Sequence, residues 1–176
     1  MVKILRMTLE TDRLTVRPIT LEDAPFILTL LNEPSFLRYI GDKQVRNLED
    51  ARQYILNGPV ASYERHGFGL CLMELSESHT PVGMCGILKR EELPDPDIGF
   101  ALLPDFCSKG LAFEAAAAVL NDARERLKLG RILAITSLDN EPSIKLLERL
   151  GFRFKEIIRL APEREGVRLF VNADYG

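Results

Sequence analysis

The sequence predicts a mixed α/β fold in which helices flank a largely antiparallel central sheet. Three short apolar runs follow one another closely in the middle of the chain, which is typical of an antiparallel meander. The apolar spacing then changes to that of a long helix, and strands and helices alternate afterwards. The expected order is strand, helix, helix, three strands, helix, strand, helix and two strands.

The first third of the chain predicts one strand and two helices. Leu14–Pro18 alternates in polarity and ends at a proline, as a strand does. Thr20, three residues before Asp23, is a plausible helix cap. The helical positions after it are Ala24, Ile27, Leu28 and Leu31. Asn47–Asp50 repeats the cap signal and predicts the start of a second helix. Gly58–Pro59 should interrupt or end that helix.

The middle of the chain predicts the meander and the long helix. We expect strands over Phe68–Leu75, Pro81–Lys89 and Asp97–Leu103, separated by polar or proline-containing turns. Helical spacing then marks Ala112, Ala116, Val119, Leu120, Ala123 and Leu127. Gly130 suits the C-terminal cap of that helix.

The last third predicts a buried strand, a helix and a closing hairpin. The strand is Arg131–Leu138, and the hairpin pairs Phe152–Leu160 with Val167–Asn172. Between them a helix is marked by Ile144, Leu147 and Leu150, and Gly151 stops it. No repeat or convincing linker divides the chain, so we expect residues 1–176 to form one domain.

Composition argues against several classes of protein. A balance of 23 basic against 26 acidic residues argues against bulk attraction to nucleic acid or an anionic membrane. The three cysteines show no CxxC spacing, so neither a disulfide framework nor a structural zinc site is expected. Cys71 and Cys85 fall within apolar runs and are interpreted as small buried hydrophobes. With no signal peptide and no long apolar run, a cytoplasmic location is expected.

The most informative segment is Ser108-Lys-Gly-Leu-Ala112, where the third meander strand joins the long helix. Gly110 permits a positive φ or a close approach of ligand to backbone. Amide groups at a helix start are unpaired and carry the positive end of the dipole, so they form an anion site. Lys109 would add a charge and Ser108 a donor. Alternatively, Gly110 merely eases a turn before a helix.

Three segments resemble the GNAT superfamily of N-acetyltransferases, specifically its RimJ/RimL-like branch. Glu10–Pro18 is similar to the first strand of that branch, Ile98–Ala115 to its acetyl-CoA-binding segment, and Asn140–Phe152 to its late signature. The resemblance extends from near Glu10 to about Leu160. It implies the GNAT fold and an enzyme without a metal that transfers acetyl from acetyl-CoA to a primary amine by direct attack on the thioester.

The resemblance also implies which residues bind acetyl-CoA. In the family loop, Arg or Gln is followed by two residues, Gly, one residue and then Gly or Ala. Gly110 and Ala112 match this pattern, whereas Cys107 stands where Arg or Gln is usual. Cys107 could pack or, alternatively, act as a nucleophile. Asn140 would contact the cofactor arm, cap the helix ahead of Pro142, or do both. The implied binding residues are Phe100, Ala101, Leu102, Leu103, Cys107, Ser108, Lys109, Gly110, Leu111, Ala112 and Asn140.

Acetyl transfer needs an oxyanion donor, an acid for the thiolate and a base for the amine. The resemblance places the donor at a backbone amide near Leu102. Many members carry the acid as a tyrosine seven residues after the late asparagine, but this chain has Leu147 there. Ser143 matches a serine of the branch and is the candidate acid, or it bonds only to its own backbone. Asp97 is the candidate base, or a solvated carboxylate at a strand start.

The chemistry of the amine favours a weakly basic acceptor. Deprotonation at pH 7 costs about 1 kcal/mol for an α-amine but about 4.6 kcal/mol for a lysine amine. We therefore expect a peptide or protein N-terminus or a small amine as acceptor. Separately, we expect the protein to be a monomer or a homodimer. The acidic run Glu91–Asp97 could attract a cationic acceptor, although such runs are usually just solvated. A non-catalytic acyl-CoA-binding or sensing module is the alternative, motivated by Leu147 and Cys107.

Overall fold

Eight strands form one sheet in the computed structural model, which describes residues 7–172. The strands are β1 (Leu9–Glu10), β2 (Leu14–Pro18), β3 (Leu70–Leu75), β4 (Pro81–Leu88), β5 (Asp97–Leu102), β6 (Leu133–Ser137), β7 (Phe152–Ile158) and β8 (Val167–Asn172). Their spatial order is β1-β2-β3-β4-β5-β6-β8-β7. Every neighbouring pair is antiparallel except β5 and β6, which run parallel. The predicted α/β class, the meander and the closing hairpin are confirmed.

Six α-helices accompany the sheet in the part of the chain that the structure describes. They are α1 (Ala24–Leu31), α2 (Pro34–Tyr39), α3 (Leu48–Ile55), α4 (Ala61–His66), α5 (Leu111–Glu125) and α6 (Glu141–Arg149). Short 3-10 turns lie at Leu21–Asp23 and Pro104–Phe106, and a π-helical turn at Leu56–Val60 joins α3 to α4. None of these helices is long and apolar enough to cross a bilayer. The segment considered as a signal peptide lies largely outside the described residues.

Local signals place most helix starts correctly. The Asn47 side chain accepts a hydrogen bond from the Asp50 N–H at 2.8 Å, so the predicted cap of α3 is confirmed. Asp23 accepts from the Thr20 N–H, also at 2.8 Å. Gly58–Pro59 interrupts its helix rather than ending it, through the π-helical turn. The short helix α2 was not predicted, because its six residues are too few to show a period.

The predicted role of Gly130 as a helix cap is wrong. The left-handed residue after α5 is Lys128, with φ 55°, and Gly130 does not have a positive φ. The Leu129 N–H donates to the Ala123 carbonyl at 2.9 Å. The chain turns before Gly130 because this brings Leu127 and Leu129 against the core.

The two faces of the sheet carry different layers of helices. Helices α5 and α6 pack on one face, and α1, α2 and α3 pack on the other. Met73 and Leu72, neighbours in β3, illustrate the division because they point into the two opposite cores. Cys71 and Cys85 are buried in the α5–α6 core, as predicted.

The sheet opens between β5 and β6. Strand β5 pairs with β4 from Asp97 to Leu102, whereas its pairing with β6 is at one position, Asp97 opposite Leu133. The Leu103 N–H donates to the Val82 carbonyl of β4 at 2.9 Å. Antiparallel pairing alternates, so the N–H and C=O groups of Phe100 and Leu102 face away from β4 and into the opening. This wedge between β5 and β6 is called the gap below.

Gly83 fixes the position of β4 against β5. A Cβ at Gly83 would lie 2.3 Å from the Ala101 carbonyl oxygen and 3.0 Å from the Leu102 Cα, and backbone atoms cannot rotate away. We expect Gly83→Ala to lower the free energy of unfolding by about 3 kcal/mol, measured by urea denaturation. Gly130→Ala is the control, because its Cβ meets nothing within 4 Å. Equal midpoints for the two variants would contradict the close approach.

Candidate functional site

The connection from β5 to α5 has the geometry of an anion-binding loop. Ser108 has φ 61° and Gly110 φ 79°, so two left-handed residues alternate ahead of the helix. Such conformations turn successive backbone N–H groups into one concavity. Gly110 is the N-cap of α5, and the first N–H groups of the helix, at Leu111 and Ala112, have no partner within it. The positive φ predicted for Gly110 is confirmed.

The side chains of this loop are exposed. Lys109 Nζ lies 5.8 Å from the centroid of the Phe106 ring. Cys107 is exposed too, with Sγ 3.6 Å from the Leu103 carbonyl oxygen. Partial burial raises the pKa of the Cys107 thiol, which disfavours the thiolate that a nucleophile requires. Its exposure does not fit the alternative role in packing either.

Arg13 ties the β1–β2 turn to the loop, and sequence reasoning missed this contact. Its Nε lies 2.9 Å from Glu114 Oε1, and its Nη1 donates to the Lys109 carbonyl at 2.9 Å. Thr11 also donates to the Glu114 carboxylate. These bonds hold the main chain at Lys109 and the first turn of α5 in place. About 100 residues separate the partners, so no local pattern could have revealed the pair.

Strand β5 offers a free backbone edge along the gap. Phe100 and Leu102 pack on the α5–α6 side of the sheet, whereas Ala101 and Leu103 pack on the α1–α3 side. The amides of Phe100 and Leu102 face the gap, as the pairing with β4 requires. An extended ligand that carries amides can pair with such an edge as an additional strand would.

Strand β6 places two unsatisfied hydroxyls across the gap. Thr136 Oγ1 and Ser137 Oγ are buried and have no hydrogen-bond partner among residues 7–172. Leaving a buried polar atom unpaired costs about 1–3 kcal/mol. Successive side chains of a strand point to opposite faces of the sheet, so the two hydroxyls lie on opposite faces of β6 rather than together in the gap.

Asn140 and Ser143 lie at the wide end of the gap. Strands β5 and β6 are parallel, so the loops that follow them emerge at the same edge of the sheet. The Asn140 side chain accepts from the Ser143 N–H at 3.4 Å and caps α6, so the predicted capping role is confirmed. Ser143 is half-buried in the first turn. Leu147 is buried in the core, and its aliphatic side chain has no proton to donate.

Asp97 lies at the narrow end of the gap, and the alternative of a solvated carboxylate is wrong. Its side chain is fully buried, because β5 pairs on both sides at this position. Arg90 Nε contacts both carboxylate oxygens, at 3.2 and 3.1 Å. Burial raises the pKa of Asp97 to about 6, against the opposing effect of the Arg90 charge. A carboxyl that titrates near neutrality suits a general base.

The acidic connection before β5 is largely neutralised or solvated. Asp97 pairs with Arg90, and Asp95 binds Arg131 Nε at 2.8 Å. Glu91 and Glu92 are exposed. Across the described residues, no group of three His, Cys, Asp or Glu side chains is arranged to hold a metal ion.

Comparisons with known proteins agree with this geometry. A family described as "Acetyltransferase (GNAT) domain" matches residues 13–153. The relative "Uncharacterized N-acetyltransferase p20" of Bacillus licheniformis is 30% identical over 155 residues, which are 86% of this chain and 85% of that protein. The crystal structure of an acetyltransferase from Agrobacterium tumefaciens str. C58 superposes with a TM-score of 0.78 at 26% identity, covering 93% of this chain and 92% of the other.

A more distant structure shares the fold. The ribosomal-protein-S5-alanine acetyltransferase from Vibrio fischeri superposes with a TM-score of 0.77 at 19% identity, covering 97% of this chain and 99% of that one. At this identity the likeness concerns the arrangement of helices and strands only.

Proposed function

This chain belongs to the GNAT family of acetyltransferases, and on that premise we propose that it acetylates the α-amine of a peptide or protein, or a small amine of similar basicity. Acetyl-CoA is the acetyl donor. The observation that carries the proposal is the gap, a free strand edge that leads directly to an anion-binding loop.

The residues around the gap fit acetyl-CoA. The pyrophosphate would meet the amides of Ser108–Ala112, with Lys109 supplying a mobile positive charge. The pantetheine arm carries amides that can pair with the backbone of Phe100 and Leu102. Acetyl-CoA supplies the thioester. The side chains and backbone of this chain supply the oxyanion donor, the acid and the base.

A backbone amide is the proposed donor to the oxyanion. The Leu102 N–H faces the gap and is held rigidly, because β4 pairs with β5 on its other edge. A donor fixed before the reaction needs no reorganisation as negative charge develops on the carbonyl oxygen. Because the donor is a backbone group, replacing the Leu102 side chain would leave it in place. Its role is therefore tested by variants that shift the position of the strand.

Asp97 is the proposed base and favours a weakly basic amine. A carboxylate with a pKa of about 6 is ionised at pH 7 and can accept the proton that the amine loses. Its side chain is fully buried, so a relay between the amine and the carboxylate would have to carry the proton to it. Removing a proton from a lysine amine at pH 7 costs about 4.6 kcal/mol, against about 1 kcal/mol for an α-amine. This difference supports the α-amine as acceptor.

Ser143 is the proposed acid for the thiolate. We expect Ser143→Ala to lower kcat by about 100-fold while leaving acetyl-CoA affinity unchanged. Ser35→Ala is the matched control, because Ser35 also follows a proline in the first turn of a helix but is exposed in α2. Steady-state thiol release and calorimetry measure the two effects. A Ser143→Ala variant that turns over normally would remove Ser143 from the reaction.

The acceptor class is tested by thiol release from acetyl-CoA over a panel of peptides. The panel pairs each peptide that has a free N-terminus with the same peptide blocked at its N-terminus and carrying a lysine. We expect turnover of the free α-amines and little of the blocked peptides at pH 7. Turnover of lysine peptides alone would refute the α-amine assignment. Acetyl-CoA binding without turnover on any amine would favour a non-catalytic acyl-CoA sensor.

A further inference from the structure

Strand β7 is the last strand of the sheet, and one of its edges has no partner strand within residues 7–172. Its other edge pairs with β8 from Phe152 to Ile158. It is seven residues long, whereas β1, at the opposite end of the sheet, has two. An open edge of this length presents a row of main-chain groups on which another strand can pair.

The two most exposed large hydrophobic side chains in the described part of the chain both lie on β7. They are Phe154, 50% exposed, and Ile157, 57% exposed. In a regular strand, residues three apart point to opposite faces of the sheet. Here the register against β8 shifts between Phe154 and Glu156, so the strand bulges at Lys155. The bulge brings Phe154 and Ile157 to the same face, because their partners in β8 are two positions apart.

Phe154 is held in place although half of its surface is exposed. Its ring meets that of Phe170 edge to face, with centroids 5.9 Å apart and planes at 70°. The guanidinium carbon of Arg168 lies 5.6 Å from the Phe154 centroid, and Arg168 Nε donates to the Leu138 carbonyl at 3.1 Å. A side chain that is already ordered loses little conformational entropy when a partner covers it.

The charges at the bulge of β7 are complementary to themselves. Lys155 and Glu156 are both exposed, and neither forms an ion pair with another residue of the range 7–172. A two-fold axis through the bulge, perpendicular to the sheet, would place a second copy of β7 antiparallel to the first. Lys155 then meets the partner's Glu156, and Phe154 meets the partner's Ile157. Symmetry produces each of these contacts twice.

The bulge also selects this register. In a regular antiparallel pair, such an axis passes between a residue and its own copy, so like charges would meet at a lysine or a glutamate. At β7 the two residues of the bulge share one position of the ladder, opposite Leu169. An axis at that position therefore relates Lys155 to Glu156. A lysine and a bulge discourage an edge from pairing with unrelated strands, whereas both features fit a second copy of this one.

We propose that two copies of this chain form a homodimer through β7, paired antiparallel about the bulge at Lys155 and Glu156. The two sheets, each of eight strands, then continue into one another. Phe154 and Ile157 of the two copies cover one another on the face of the sheet that carries α5 and α6, and the charges at the bulge form two ion pairs beside the axis. The inference rests on the surface of β7 and does not depend on the proposed function.

The apolar contact is tested by sedimentation velocity over a concentration series of the full chain up to about 1 mM. We expect the wild-type protein to show twice the mass of one chain as concentration rises, and Ile157→Glu to raise the dissociation constant at least 10-fold. Ile40→Glu is the matched control, because Ile40 is 46% exposed but lies after α2. A wild type that keeps the mass of one chain, or equal dissociation constants for the two variants, would overturn the inference.

The charge contact is tested by exchanging the two residues of the bulge. Lys155→Glu alone places carboxylates opposite one another, and Glu156→Lys alone does the same with ammonium groups, so we expect each to raise the dissociation constant at least 10-fold. The double variant, Lys155→Glu with Glu156→Lys, restores opposite charges and should bind within 3-fold of the wild type. Circular dichroism checks that all variants fold, as expected for changes at exposed positions. A double variant as weak as the single ones would overturn the proposed pairing.

Discussion

Replacing Gly110 by valine is expected to reduce acetyl-CoA affinity by at least about 100-fold while the chain stays folded. At φ 79° a β-branched residue is strained, at a cost of about 1–3 kcal/mol. A Cβ there would lie 3.3 Å from Arg13 Nη2, so it would also press on the residue that holds the loop. Either the loop changes conformation or the side chain blocks the approach of phosphate to the amides. Isothermal calorimetry with acetyl-CoA measures the loss.

Gly130→Val is the matched control for Gly110→Val. Gly130 lies beyond the other end of α5, does not have a positive φ, and has open space around its Cβ position. We expect its acetyl-CoA affinity to equal that of the wild type. Circular dichroism checks that both variants fold, since the strain at Gly110 is smaller than the 5–15 kcal/mol that typically stabilises a domain. A Gly110→Val protein that binds acetyl-CoA normally would exclude the loop as the pyrophosphate site.

Asp97→Asn is expected to lower kcat by about 100-fold or more, because an amide cannot accept the proton of the amine. In the wild type, kcat/KM should rise with pH through about 6 as the buried carboxyl ionises. Asp95→Asn is the control, since Asp95 lies in the same connection and also pairs with an arginine, but is partly exposed. A pH profile from 5 to 8 for the three proteins separates the outcomes. Normal activity of Asp97→Asn would refute its role as base.

The same carboxyl makes stability depend on pH in a defined direction. Burial raises the pKa of Asp97 from 3.8 to about 6, so the folded protein binds this proton more tightly than the unfolded chain does. The contribution of Asp97 to the free energy of unfolding therefore falls as pH rises from about 4 to about 6, by about 3 kcal/mol. Urea denaturation at several pH values should show this fall in the wild type and its reduction in Asp97→Asn. This readout does not depend on activity.

Features that rest on neighbouring residues could be predicted from the sequence. The Asn47 cap, the strand Leu14–Pro18 and the left-handed Gly110 each follow from a local signal, and the structure has all three. The order of strands in the meander follows from its short connections. Family resemblance added the assignment of the loop after β5, which a short motif alone could not provide.

Features that rest on tertiary contacts could not be predicted. Arg13 and Glu114 meet because β2 lies near the start of α5, and nothing in either segment indicates the other. The sequence left open whether Asp97 is a solvated carboxylate at a strand start, and pairing on both sides of β5 buries it.

The narrow join between β5 and β6 also bears on how the protein unfolds. Since main-chain pairing crosses from one strand to the other at Asp97 and Leu133, the sheet consists of a five-stranded and a three-stranded unit. Each unit can exchange its amide protons in separate opening events. A pantetheine arm paired with β5 would fill the space between the units and join them into one cooperative structure. Acetyl-CoA would then be part of the architecture of the sheet as well as the donor of its acetyl group.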